Sequence, residues 1–233
     1  MKKIAFTVAL LTIAVGMQAQ EKGKRWSLDY EVGIGFSTFH NYSALSLTED
    51  ATASYTAPTA TFSFGMRRDD GFSAGIRYSN TVINTAAAGL SETATLHNIS
   101  LVVRQSTMLS ERVELYGSAT LGFAILHNHL TYGGDDLAHN RYGLSGGLEA
   151  GLRYYLNKGV YFFISAGVET VNKLAKKNDL PAGLLPQTRT NTASSNLLGG
   201  FGIGLKPKVK KLNMAAEIIK QKEPLQMAYY ENH

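Results

Sequence analysis

From Trp26 onward the chain alternates with a period of two. Trp26, Leu28, Tyr30, Val32, Ile34 and Phe36 are interleaved with Ser27, Asp29, Glu31, Gly33, Gly35 and Ser37. Successive side chains of an extended strand point to opposite faces, so this stretch predicts a strand with one apolar and one polar face. An amphipathic helix would instead repeat every three to four residues.

The same alternation recurs in seven further segments. Ala60, Phe62, Phe64 and Met66 mark the second; Phe72, Ala74, Ile76 and Tyr78 the third; Ile99, Leu101 and Val103 the fourth. Val113, Leu115, Ala119, Leu121, Phe123 and Ile125 carry the fifth, and Tyr142, Leu144, Leu148, Ala150, Leu152 and Tyr154 the sixth. Val160, Phe162, Ile164, Ala166 and Val168 make the seventh, and Leu197, Phe201, Ile203 and Leu205, set among glycines, the eighth. Eight such segments with no helical period between them predict an all-β chain.

Upstream, Met1-Lys2-Lys3 leads into an apolar run from Ile4 to Val15 and then to Ala19, ahead of the charged Glu21 to Arg25. A basic start, a short apolar run and a small residue at the end predict a secretory signal peptide over residues 1–19. The run falls short of the roughly 20 residues a membrane helix needs, and no later stretch reaches that length either. If the mature chain enters a membrane, it does so as a barrel. The absence of cysteine excludes disulfides, thiolate metal sites and lipid attachment at a cysteine.

Connection lengths alternate. Arg68 to Gly71, Ser106 to Arg112 and Leu156 to Gly159 are short, whereas His40 to Thr56, Asn84 to Thr93, His127 to Asn140 and Asn172 to Ser194 are long. Tight turns at one end and long loops at the other predict an eight-stranded antiparallel transmembrane β-barrel over residues 20–206, with short periplasmic turns and long extracellular loops. Both strand ends of the chain then lie on the periplasmic side, and residues 207–233 form a basic periplasmic tail.

The sense of the alternation needs a separate argument, because a soluble lipocalin-like barrel alternates too, with its apolar face inward. Lysine decides it. A water-facing wall carries lysine freely, yet between Trp26 and Leu205 the only lysines are Lys158, Lys173, Lys176 and Lys177, all in expected connections. The polar face is mostly Ser, Thr, Gly and Asn, as in a crowded interior. Aromatic residues gather near expected strand ends, with Trp26, Phe72, Tyr154 and Phe162 at one end and Phe36, Phe39, Tyr78, Phe123 and Tyr142 at the other. Such girdles mark membrane interfaces.

Together these features resemble the small outer-membrane β-barrel family that includes OmpA-type, OmpX-type and PorT-like proteins. The resemblance runs from Trp26 to Lys206 and is one of architecture, so it implies a Gram-negative outer-membrane location and a fold but no particular activity. Members include structural barrels, adhesion and immune-evasion proteins, secretion accessories and a few lipid-modifying enzymes. One departure is that such barrels commonly end on an aromatic residue of the last strand. Here Gly200 to Leu205 is followed by Pro207 and the basic segment to His233.

The formal charge is +5, and loss of Lys2 and Lys3 with the signal leaves 21 basic against 18 acidic residues, a net +3. Much of the excess lies near the two termini and forms no patch on a fold, so nucleic acid is not an expected partner. Asp29, Glu31, Arg77, Arg104, Glu114, Glu149, Arg153 and Glu169 fall on the polar, inward face. An unpaired charge in a low-dielectric lumen costs several kcal/mol, so both signs at one level predict mutual pairing. The expected network comprises Glu31, Arg77, Arg104, Glu114, Glu149, Arg153 and Glu169, with Glu31, Arg77 and Glu149 meeting at one depth and Arg104 pairing with Glu114 across their hairpin. An eight-stranded interior is just wide enough for side chains to fill it.

His127 and His129 share one side of an extended chain, with Asp135, Asp136 and His139 following, but the spacing is too loose to predict a metal site. One lipid A deacylase family uses this barrel with a histidine, a serine two positions later and a glutamate on its outer surface. Here His127-Asn128-His129 carries histidine where that serine would stand, and His40-Asn41-Tyr42 and His97-Asn98-Ile99 also lack it. The glycine clusters Gly143 to Gly147 and Gly199 to Gly202 open no helix and lack the Lys-Ser/Thr of a phosphate loop.

The sequence thus predicts a monomeric, non-enzymatic barrel without cofactor or metal. It acts through its loops on outer-membrane lipid, lipopolysaccharide or an extracellular or envelope protein. An outer-membrane lipid A-modifying hydrolase and a secreted lipocalin-like small-molecule binder are the rival readings.

Overall fold

The computed structural model describes residues 25–40, 55–87, 90–132, 135–173 and 192–207. They form eight strands: β1 (Trp26–His40), β2 (Tyr55–Arg68), β3 (Ser73–Ala87), β4 (Leu90–Met108), β5 (Val113–Tyr132), β6 (Asp135–Tyr155), β7 (Val160–Lys173) and β8 (Thr192–Gly204). Each pairs antiparallel with the next, and β8 returns to β1 to close the barrel. Closure matters because it leaves no wall strand with unpaired backbone groups facing lipid. Among the described residues no helix is long and apolar enough to cross a membrane. The expected signal segment and most of the expected tail lie outside the described residues.

The strands are staggered. Following paired residues around the wall from Asp29 leads through Gly65, Gly75, Val102, Thr120, Gly147, Glu169 and Ser194 back to β1 at Phe39, ten positions beyond the start. A stagger of this kind accompanies strands tilted by about 35–45° to the barrel axis. Residues equally far from their strand ends therefore sit at different depths.

The barrel is apolar outside and polar inside. Ile34 is 72% exposed, Leu121 66% and Leu148 65%, with Val32 and Ile164 also facing out, while Asp29, Glu31, Arg67, Arg104, Glu114 and Arg153 are buried. Exposing such a wall to water is unfavourable, and hydrocarbon around it removes the penalty. The sense is the reverse of a lipocalin-like binder. Gly33 and Ser118 point inward, as their parity requires.

One end carries three tight turns, closed by Arg68 N–H to Phe72 O at 2.8 Å, Leu109 N–H to Val113 O at 2.8 Å and Leu156 N–H to Val160 O at 3.0 Å. At this turn end the Arg68 guanidinium lies over the Trp26 ring at 5.8 Å and the Phe72 ring at 5.3 Å. A cation resting on an aromatic face suits a membrane interface.

The opposite, loop end corrects two expectations. Asn84 to Thr93 and His127 to Asn140 are not long loops. Strands β3 and β4 run on to Ala87 and from Leu90, and β5 and β6 run on to Tyr132 and from Asp135. The ladder continues through polar letters such as Thr93↔Asn84 and Asn128↔His139. Hydropathic alternation fades where both faces become polar, although the backbone pairing persists. Lys173, expected in a connection, ends β7. Of the other two long connections, residues 41–54 and 174–191 lie outside the described set. Phe39, expected in the interfacial girdle, instead shares the parity of Ser37 and is buried inside the barrel.

Candidate functional site

The inward faces of all eight strands meet in the lumen, and its turn-end half is filled by charge. Four arginines, Arg67 on β2, Arg77 on β3, Arg104 on β4 and Arg153 on β6, interleave with Asp29, Glu31, Glu114 and Glu149. Arg104 grips Glu31 through both terminal nitrogens, at 3.0 and 2.8 Å. Arg153 reaches the same carboxylate through Nε at 3.0 Å and Nη2 at 2.5 Å, and Asp29 at 3.3 Å. Arg67 pairs with Glu114, and both bond the Tyr155 hydroxyl: Arg67 Nη1 donates to it and it donates to Glu114 Oε2, each at 2.7 Å.

Tyrosines complete the plug. Tyr161 donates to Asp29 at 2.6 Å, and the Arg153 guanidinium lies 4.7 Å from the Tyr161 ring and 5.0 Å from that of Tyr116. Arg104 lies over the other part of this stack, 4.4 Å from the Tyr116 ring. The rings need room. A side chain at Gly202 would collide with the Tyr161 ring, and one at Gly151 with that of Tyr116. Glycine at a strand position facing a ring across a narrow barrel is the usual solution to such crowding.

One step toward the loop end, Arg77 holds Glu149 through two bonds of 2.6 and 3.1 Å, and its Nε donates to Ser63 at 3.2 Å. Beyond it the lumen turns neutral. Ser37, Thr59 and Thr81 form a hydroxyl ladder at 2.6 and 2.8 Å. Glu169 accepts from the Asn98 amide, whose oxygen in turn accepts from Ser145 at 2.7 Å. A cavity of about 30 Å³ remains among Thr59, Thr81, Asn98, Glu169 and Asn196, room for about two waters. Phe39, Ala57, Ile83, Ala94 and Leu126 form a buried apolar cluster above it, toward the loop end.

The expected residues are therefore all in the lumen, but two expected pairings differ. Glu31 joins Arg104 and Arg153 and not Arg77, which keeps Glu149 to itself apart from a 4.0 Å approach of Arg104 to that carboxylate. Arg104 does not pair with Glu114. Their strands are neighbours, yet Arg104 lies opposite Ser118 and Glu114 opposite Met108, and Glu114 finds Arg153 on the other side of β5 and Arg67 further round. The stagger makes depth unreadable by counting from strand ends. Asp29, expected on the inward face but not in the network, joins it, as do Arg67, Tyr116, Tyr155 and Tyr161. The parity of Arg67 with Ser63, Tyr116 with Glu114 and Tyr155 with Arg153 was the available signal.

His127, His129, Asp135, Asp136 and His139 do not gather in a loop. They lie along the β5–β6 ladder, where Asn128 faces His139 and His129 faces Ala138. Among the described residues no group of three or more His, Asp or Glu side chains is placed to hold a metal ion. His127 Nδ1 lies 2.7 Å from Asn140 Oδ1.

Among solved structures, Neisserial surface protein A superposes with a TM-score of 0.56 at 16% identity, covering 77% of this chain and 98% of that one. The chain has the fold of the small outer-membrane β-barrels. Ail, the attachment invasion locus protein of Yersinia pestis, aligns over 75% of this chain and 97% of its own with a TM-score of 0.44 and 14% identity. The N-terminal barrel of Pseudomonas aeruginosa OprF aligns over 76% and 99%, with a TM-score of 0.42 and 14% identity. No family model matches the sequence, and no curated protein matches it.

Proposed function

We propose that the protein is a non-enzymatic, monomeric integral outer-membrane barrel whose lumen is held shut by the charge network of Glu31, Arg77, Arg104, Glu114, Glu149, Arg153 and Glu169. Its task is then borne by the surface at the loop end. The observation that carries this reading is the pairing of buried arginines with carboxylates from strands across the lumen, as Arg104 with Glu31 and Arg67 with Glu114. A conducting pore needs a continuous wet path, and here charged groups spend their hydrogen bonds on one another. Residues 1–19 act as the export signal and residues 207–233 as a periplasmic tail in this reading.

A rigid wall carrying variable connections suits recognition, because loops tolerate change while the ladder beneath them does not. Residues 174–191 combine Lys176, Lys177, Pro181, Pro186 and Arg189, a basic segment suited to anionic lipopolysaccharide or to an acidic protein surface. Replacing them with a short Gly-Ser linker leaves the barrel folded, read by its heat-modifiable gel mobility, and abolishes surface binding to lipopolysaccharide or host cells. A shortened barrel that folds and keeps all binding contradicts the assignment to this loop.

The hydrolase reading has one observation in its favour, the oriented imidazole of His127 beside Asn140. It lacks a nucleophile at the position that family uses, where His129 supplies an imidazole in place of a hydroxyl. Release of fatty acid from lipid A by the purified protein would reverse the preference.

A further inference from the structure

A second cluster lies outside the lumen, on the lipid-facing wall across β3, β4, β5 and β6. Tyr78 Oη stands 2.7 Å from His97 Nδ1, and the Asn80 amide reaches the same nitrogen at 3.2 Å. The His97 and His127 rings meet edge to face with centroids 5.3 Å apart, and His127 Nδ1 bonds Asn140 Oδ1. Five polar side chains from four strands thus form one connected row.

Its height is informative. Directly toward the turn end lie Ile99, Phe123 and Tyr142, all exposed, with the last two rings stacked at 6.0 Å. Toward the loop end the outward positions become Val82, Thr93, Thr95, His129 and Ala138, polar or small but for Val82. The row marks the upper margin of the apolar wall, where acyl chains give way to lipid headgroups.

The hydrogen bonds also set what the row offers. The Asn80 amide nitrogen only donates, so His97 Nδ1 accepts and the neutral ring carries its proton on Nε2. The Asn140 oxygen only accepts, so His127 Nδ1 donates to it. Among the described side chains, the other titratable groups facing outward here from β3 to β6 are Tyr78, Tyr142 and His129, and no carboxylate faces outward beside them.

We propose that Tyr78, Asn80, His97, His127 and Asn140 form a binding site for the phosphate of an outer-leaflet lipid headgroup, with its acyl chains along Ile99 and Phe123. The site rests on the reading of the barrel as lipid-embedded. That reading fails separately, if the protein stays folded and dispersed without detergent.

The test is native mass spectrometry of the detergent-solubilised, full-length barrel with bis-phosphorylated lipid A and with the same lipid dephosphorylated. The wild type should retain the phosphorylated form about tenfold or more tightly, since a charge-assisted bond is worth about 1.5–3 kcal/mol and each 1.4 kcal/mol is about tenfold. The double variant His97→Gln/His127→Gln, checked for folding by gel mobility, should bring the ratio to about one, and Asn140→Ala should lower it in part. Inorganic phosphate alone should leave the ring proton resonances of His97 and His127 unshifted below millimolar concentration. Equal retention of both lipids, an unchanged ratio in both variants, or saturable shifts with sub-millimolar phosphate would each overturn the proposal, the last by making this a site for free anions.

Discussion

Arg67 and Glu114 form a fully buried ion pair across the lumen, 47 residues apart in sequence and on strands that are not neighbours in the barrel wall. The pair is shared with Tyr155, which bonds both. Desolvating two charges is costly, and it is offset only when geometry and further hydrogen bonds compensate. Removing one partner therefore exposes the full penalty of the other. Glu114→Ala should destabilise the barrel by about 3–5 kcal/mol, whereas Arg67→Met/Glu114→Leu together should cost much less. Urea titration of the protein folded into vesicles, read by gel mobility, measures both. Equal losses in the single and double variants would show that the pair is not a unit.

The wall predicts different environments for outward and inward positions. Arginine at Leu121 or Ile164, which face outward, should destabilise by about 2–4 kcal/mol near the bilayer midplane. Spin labels at the same positions should report a lipid environment, and a label at Gly33 should be screened from it. Outward labels accessible to water-soluble quenchers in the folded sample would reverse the assignment of faces.

Much of this was legible in the sequence because one period governs the whole barrel. Residues such as Val32 and Ile34 announce their side by parity alone, and the eight strands follow from its repetition. The polar ends of β3 to β6 were hidden because stretches such as Asn84–Ala87 and His127–Tyr132 lose hydropathic contrast on both faces while keeping their ladder. Within the lumen, membership followed from parity but partnership did not. Which carboxylate Arg104 meets depends on a ten-residue stagger around the closed wall, a property of no single segment. Arg67 adjoins the turn at Arg68, and its parity with Ser63 places it inside.

Packing around the tyrosines yields a further expectation. Gly202→Val forces the Tyr161 ring away from Asp29 and Arg153, because the new side chain and the ring claim the same space. The variant should unfold at lower urea concentration by about 1–3 kcal/mol, the usual cost of overpacking. Gly202→Val combined with Tyr161→Ala should recover part of that loss. A Gly202→Val barrel as stable as the wild type would mean that Tyr161 has another seat.

Single-channel recording in planar bilayers tests the closed lumen most directly. The paired arginines, the hydroxyl layer and the apolar cluster of Phe39, Ile83 and Leu126 predict a flat baseline for the wild type, with brief openings appearing only when the plug is broken, as in Arg104→Ala/Arg153→Ala. Large, steady currents from the intact monomer would contradict the account at its centre.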